Sequence, residues 1–168
     1  METPVWALTI LYWFHMLATV IWLGGLAALV LLVIPAAQHG LDARAFAVLL
    51  QAIQRRLDPL GWLCLAVLTV TGMFQMSANP GYAGFLAFDS RWALAILLKH
   101  LVFGGMVVVS AYLTWGVLPG LARTALRISQ GLDTPQAARL QRQNAWLLRI
   151  NLFFAVVVLA LTALARVS

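Results

Sequence analysis

Four apolar stretches run through this chain, each near or above the roughly 20 residues that a helix needs to cross the hydrocarbon core of a bilayer. Backbone polar groups find no water in that core, so such stretches cross it as helices whose hydrogen bonds close within each segment. The expected spans cover residues 5–34, 60–76, 91–118 and 145–165. Only 10% of the residues are charged and 63% are hydrophobic, whereas a soluble domain carries about 25% charge. The chain therefore reads as an integral membrane protein forming a single transmembrane domain over residues 1–168.

Local signals mark the ends of these spans. Thr3 is placed to cap the first helix, with Pro4 at its first helical position. Glu2 replaces a basic leader region, so the first stretch is expected to be retained as a span. Pro35 and the Gln38-His39-Gly40 loop are expected to end it. An amphipathic stretch over 42–56 leads toward the second span, where Asp58-Pro59 reads as a fresh cap and a restart or kink. Asn79-Pro80-Gly81 forms a turn, and Asp89-Ser90 precedes the third span. Pro119-Gly120 should bend that span, with a short basic helix continuing to Gln130 before Gly131, and Thr134-Pro135 caps the last helix. Short connections favour an up-down-up-down four-helix bundle.

Charge sets the orientation and removes one class of partner. The net charge of +6 does not point to nucleic acid, because the arginines collect in two connections. Arg44, Arg55 and Arg56 lie between spans one and two; Arg123, Arg127, Arg139, Arg142 and Arg149 lie between or beside three and four. Only Arg91 and Arg166 stand on the other side. The positive-inside rule then puts both connections in the cytoplasm and both termini outside. Trp6 and Trp92 mark the outer interface; Trp62, Trp115 and Trp146 mark the inner one. The single cysteine, Cys64, has no partner for an internal disulfide and reads as a core residue.

Two histidines lie deep in these spans. His15 and His100 each stand about 15 Å from the outer end of their helix, at 1.5 Å of rise per residue. Ionisable groups at such depth are costly and mark function by default. Two imidazoles at one depth on alternate helices point to shared ligation of haem iron, a b-type haem between spans one and three. Tyr12, Thr19 and Trp22 recur on the His15 face, and Gly104 lies one turn from His100, where a flat macrocycle needs room. Lys99 lies too deep to snorkel and must meet a carboxylate, a carbonyl or a water pocket, a ligand carboxylate such as a haem propionate or a substrate's being one such partner; Arg91, nearer the surface, is a second candidate for a propionate. Gly24, Gly25 and Gly105 read as helix-packing positions. Methionine offers a competing chemistry: Met73 and Met76 stand three apart in span two, with Met16 and Met106 in spans one and three, and thioethers suit Cu(I). His39 is expected to be a solvated loop residue.

The run from His15 through Trp22 to Gly24-Gly25 resembles the H-x6-W-x-G-G signature of the copper-resistance D (CopD) family. Thr71-Gly72 is similar to that family's threonine-glycine, and Leu97-Leu98-Lys99 to its L-L-K stretch. Together these motifs span roughly residues 10–115. The resemblance implies copper handling, and a wider likeness to the HemJ-type protoporphyrinogen oxidases implies haem or porphyrin. The chain departs from the family pattern in carrying His100 beside the lysine, and Asn151 where an acidic residue is expected. The leading expectation is an electron-transfer protein of the bacterial inner membrane with one haem b held by His15 and His100, serving as a subunit of a larger redox complex. The alternatives are copper transport through Met16, Met73, Met76 and His15, a HemJ-like oxidase, and an accessory subunit without a cofactor.

Overall fold

A computed structural model describes residues 4–79, 81, 82, 84, 90–130, 132 and 136–167. The described residues form helices joined by short connections. Helix α1 covers Val5–Ala27 and passes through a wide π turn, Ala28–Val33, into α2, Ile34–Gly40. Helix α3 covers Ala43–Ser77 and α4 covers Arg91–Ala111. A second π turn, Tyr112–Val117, leads into α5, Leu118–Ser129; α6 covers Ala137–Val167. Four continuous helices, Val5–Gly40, Ala43–Ser77, Arg91–Ile128 and Ala137–Val167, are long and apolar enough to cross a membrane.

Both π turns answer the same local problem. Each ends shortly before a proline, Pro35 or Pro119, whose missing N–H leaves a gap in the helical ladder. An extra residue per turn shifts the register, with Ile34 N–H reaching Leu29 O and Leu118 N–H reaching Leu113 O. The chain therefore stays helical through Gln38-His39-Gly40, where a loop is expected from sequence. His39 Nδ1 bonds Pro35 O at 2.7 Å, one turn back.

Asp58-Pro59 departs from expectation in the same way. Helix α3 runs unbroken through Pro59. Proline is tolerated within membrane helices because neighbouring helices re-satisfy the freed groups. Asp58 does not cap a new helix: its Oδ1 accepts from the Thr114 hydroxyl at 2.5 Å. The start of α3 is capped instead by Asp42, which accepts from Ala45 N–H at 2.7 Å. Ser90 caps α4 as expected, accepting from Ala93 N–H at 3.1 Å. Pro4 stands one residue before the helix rather than inside it. Asn79 Oδ1 accepts from Gly81 N–H at 2.8 Å, closing the expected turn. The expected caps at Thr3, Asp89 and Thr134-Pro135, together with Pro80 and Gly131, lie outside the described residues.

Helices α1 and α3 pack along their length, as do α4 and α6. Gln75 bonds Leu11 O, His15 meets Thr71, Trp22 lies on Gly61, and Leu57 touches Gly25. Numbers rise along one helix as they fall along the other. In the second pair Gln143 bonds Tyr112, Asn151 bonds Ser110, and Phe154 covers Gly105. Thr114, with its bonds to Asp58 and Trp62, joins the two pairs.

The apolar core is not central. It gathers Leu26, Val30, Ile34, Phe46, Leu50, Leu113, Val117, Leu121 and Leu147 toward the end of the bundle that carries the arginine-rich connections, here the basic end. Lipid tails are as apolar as leucine, so this packing is held by close contact and interhelical hydrogen bonds rather than by release of water. At the opposite end the helices leave a space between them, and the candidate site occupies it.

Candidate functional site

A cavity of about 750 Å³ opens at that end, between α3, α4 and α6. Helical periodicity places its walls. On α3, Thr69, Gly72, Met73 and Met76 recur at three- and four-residue steps and share a face; on α4, Trp92, Ile96, Lys99, His100 and Phe103 do the same. Thr162, Ala165 and Arg166 close it from α6, and Tyr12 reaches in from α1. The Arg166 guanidinium stands 5.9 Å from the centre of the Tyr12 ring, a cation–π contact at the mouth.

Charge on the cavity wall has one sign. Arg91, Lys99 and Arg166 line it, and no carboxylate does so among the described residues. Arg91 and Arg166 are exposed at the mouth, while Lys99 is half-buried farther in. Two thioethers add soft donors: Met76 is buried and Met73 is exposed to the opening.

His100 lines the same cavity, and its bonding fixes its ring chemistry. Its Nδ1 lies 2.7 Å from Ile96 O. A carbonyl can only accept, so Nδ1 carries a proton and donates it to Ile96 O. Backbone bonding of this kind orients imidazoles that ligate metals.

His15 also donates from Nδ1, by a different route. The Thr71 hydroxyl donates to Val67 O at 2.6 Å, so its oxygen accepts from His15 Nδ1–H at 2.8 Å. The imidazole lies against Gly72, where a Cβ would stand 3.5 Å from Cε1. Gly72 faces the cavity, and His15 stands behind it rather than on the lining.

The residues expected to form the haem site, and the methionines of the copper alternative, thus fall into two groups. Tyr12, Arg91, Lys99, His100, Met73 and Met76 come together on the cavity. His15, Thr19, Trp22, Met16 and Gly104 do not line it. Thr19 bonds the His15 carbonyl one turn back, at 2.8 Å. Trp22 lies on Gly61 near the middle of α3. Met16 is exposed on the outside of α1, and a Cβ at Gly104 would meet nothing within 4 Å. Helices α1 and α4, expected to sandwich the haem, are not an extensively packed pair. Thr71 and Gly72 matter more than their sequence signal as a short motif suggested: one orients His15 and the other lets it approach. Asp58 and Asn151 were legible only as a cap and as a departure from pattern, yet both are bonded to other helices.

Among the described residues no three His, Cys, Asp or Glu side chains converge. A metal site here would have to draw on thioether sulphur and isolated imidazole nitrogen.

Four long apolar helices, with a cavity bearing three cationic side chains open at one end of the bundle, define a multi-pass helical membrane protein. Residues 51–165 match the family model described as Copper resistance protein D, and the chain belongs to that family. The match contains Thr71-Gly72 and Leu97-Leu98-Lys99, while the His15 to Gly25 motif lies before its start. No curated protein and no solved structure matches the chain.

Proposed function

We propose that this chain handles copper at the outer face of a bacterial inner membrane. The observation that carries the reading is the shared cavity wall of Met73, Met76 and His100 in a member of the copper-resistance D family. Thioether sulphur and imidazole nitrogen are donor types suited to Cu(I). Lys99 and two arginines, with no carboxylate among the described lining residues, disfavour a divalent ion more than a monovalent one. Contacts that run in opposite order along α1 and α3, and along α4 and α6, support an up-down-up-down bundle. The positive-inside rule then turns the basic end to the cytoplasm and the cavity to the outside. Purified protein should bind Cu(I) in competition with a chromogenic chelator. Replacing Met73 and Met76 together with leucine should weaken that binding at least tenfold while leaving the helical circular-dichroism spectrum intact. Unchanged affinity in the double variant defeats the copper reading.

A second reading is a b-type haem or porphyrin, favoured by the volume of the cavity and its three cations. The residues fit such a group in part: Lys99, Arg91 and Arg166 would hold its carboxylates, and His100 on the same wall is a residue type that ligates haem iron. A bound haem would supply one-electron chemistry. The paired ligation expected from sequence is not supported, because His15 faces Thr71 and lies behind Gly72. A reduced-minus-oxidised absorption spectrum, with metal analysis of the same sample, separates the two readings.

A further inference from the structure

Midway along the bundle, on the basic side of the cavity already described, lies a second polar site. It is a cavity of about 100 Å³ lined from all four spans, by Trp22, Asp58, Trp62, Ser110 and Asn151. That is room for several waters. We propose that it binds a sodium ion through oxygen atoms of Asp58, Asn151 and Ser110.

Three observations carry this. Asp58 lies inside a long apolar helix and is the one ionisable group on the wall of this cavity. Its Oδ1 accepts from Thr114, whose hydroxyl oxygen in turn accepts from Trp62 Nε1–H at 3.0 Å. These bonds engage Oδ1 and leave Oδ2 to a further partner. Asn151 is 3% exposed, and its Nδ2 donates to Ser110 Oγ at 2.8 Å. Its Oδ1, also buried, has no partner. An orphaned buried acceptor is costly, and it lies on the wall that carries the carboxylate.

A negative oxygen and a neutral orphan oxygen on one small cavity call for a positive ligand. The donor types select among cations. With no thiolate, thioether or imidazole among the described residues of this wall, its donors do not suit Cu(I). One carboxylate, where hard divalent ions draw on several charged oxygens, favours a single positive charge. Waters in the remaining volume would complete the coordination. The inference does not depend on whether the larger cavity takes copper or a porphyrin.

Binding of ²²Na⁺ to the purified full chain in detergent, at constant ionic strength with choline chloride, tests it directly. One saturable site per chain is expected. Asp58→Asn should abolish it. Asn151→Asp should tighten it several-fold, because it adds charge to an oxygen already facing the ion. Wild-type protein that binds no sodium overturns the proposal, as does an Asp58→Asn variant that binds like wild type. Weaker binding in Asn151→Asp also overturns it, since the amide nitrogen would then be the group facing the carboxylate. If Asp58→Asn fails to fold, the wild-type stoichiometry and the Asn151→Asp shift still decide.

Discussion

At the scale of single residues, the hydroxyl of Thr71 organises more than its size suggests. It spends its proton on Val67 O and so offers His15 only an acceptor, which fixes the histidine tautomer without any charged partner. Thr71 is 5% exposed, so a lost bond is not replaced readily by solvent. Thr71→Val keeps the shape and removes the acceptor. An unsatisfied buried donor costs about 1–3 kcal/mol, while hydrogen bonds within membranes average about 0.6 kcal/mol. The expected loss is therefore about 1 kcal/mol, read from thermal unfolding in detergent, and Thr71→Ser should restore it. Equal stability of the valine and serine variants would mean that the bond does not hold His15 in place. Gly72 belongs to the same arrangement: a side chain there meets the imidazole edge, and any branched residue would displace the ring or enter the cavity.

At the scale of helices, two adjacent glycines separate packing from open space. A Cβ on Gly105 would lie 3.2 Å from the Phe154 ring, so this glycine sets how closely α4 approaches α6. A Cβ on Gly104 would meet nothing within 4 Å. Gly105→Leu should cost about 1–3 kcal/mol through overpacking. Gly104→Leu should be neutral or slightly stabilising, because leucine is the better helix former. Thermal unfolding of the two variants side by side checks this, and equal destabilisation would argue against the close α4–α6 contact. The pair also shows what the sequence could not resolve. Gly105 fits its expected packing role, but Gly104 was assigned to a macrocycle on spacing alone. Spacing fixes the face of a helix and not which neighbour covers it. The same limit explains His15 and His100. Their matched depth follows from rise per residue, but α1 pairs with α3 and α4 with α6, and depth carries no information about that choice. Proline misled in the opposite direction. Pro35 and Pro59 read as breaks, whereas π turns and interhelical bonds carry the helices through them. The long apolar runs were legible because composition over 20 or more residues overrides any single breaker.

Across the whole molecule, packing and polarity divide along the bundle. The apolar core lies at the basic end, the small polar cavity with Asp58 lies midway, and the large cavity with Lys99 and His100 opens at the other end. Polar contacts continue between them: His15 with Thr71, then Ser110 with Asn151, then Gln54 Nε2–H with Asn144 Oδ1 at 2.9 Å. A bundle needing only to sit in a membrane has no use for such a column, because buried polar groups are costly unless paired. Its value to a copper-handling protein depends on which end faces outward, and charge makes that a definite expectation. Eight arginines, at positions 44, 55, 56, 123, 127, 139, 142 and 149, belong to the basic end, against Arg91 and Arg166 at the other. Such an excess in short connections is expected to hold that end in the cytoplasm. Single cysteines at Arg44 and Arg139, placed in a Cys64→Ser background, should stay unlabelled by a membrane-impermeant maleimide in intact cells and react after permeabilisation. A cysteine at Asn79, an exposed position beside the cavity mouth, should react without permeabilisation. The reverse pattern would open the cavity to the cytoplasm. Met73, Met76 and His100 could then serve to release or sense copper from inside, but not to capture it from outside.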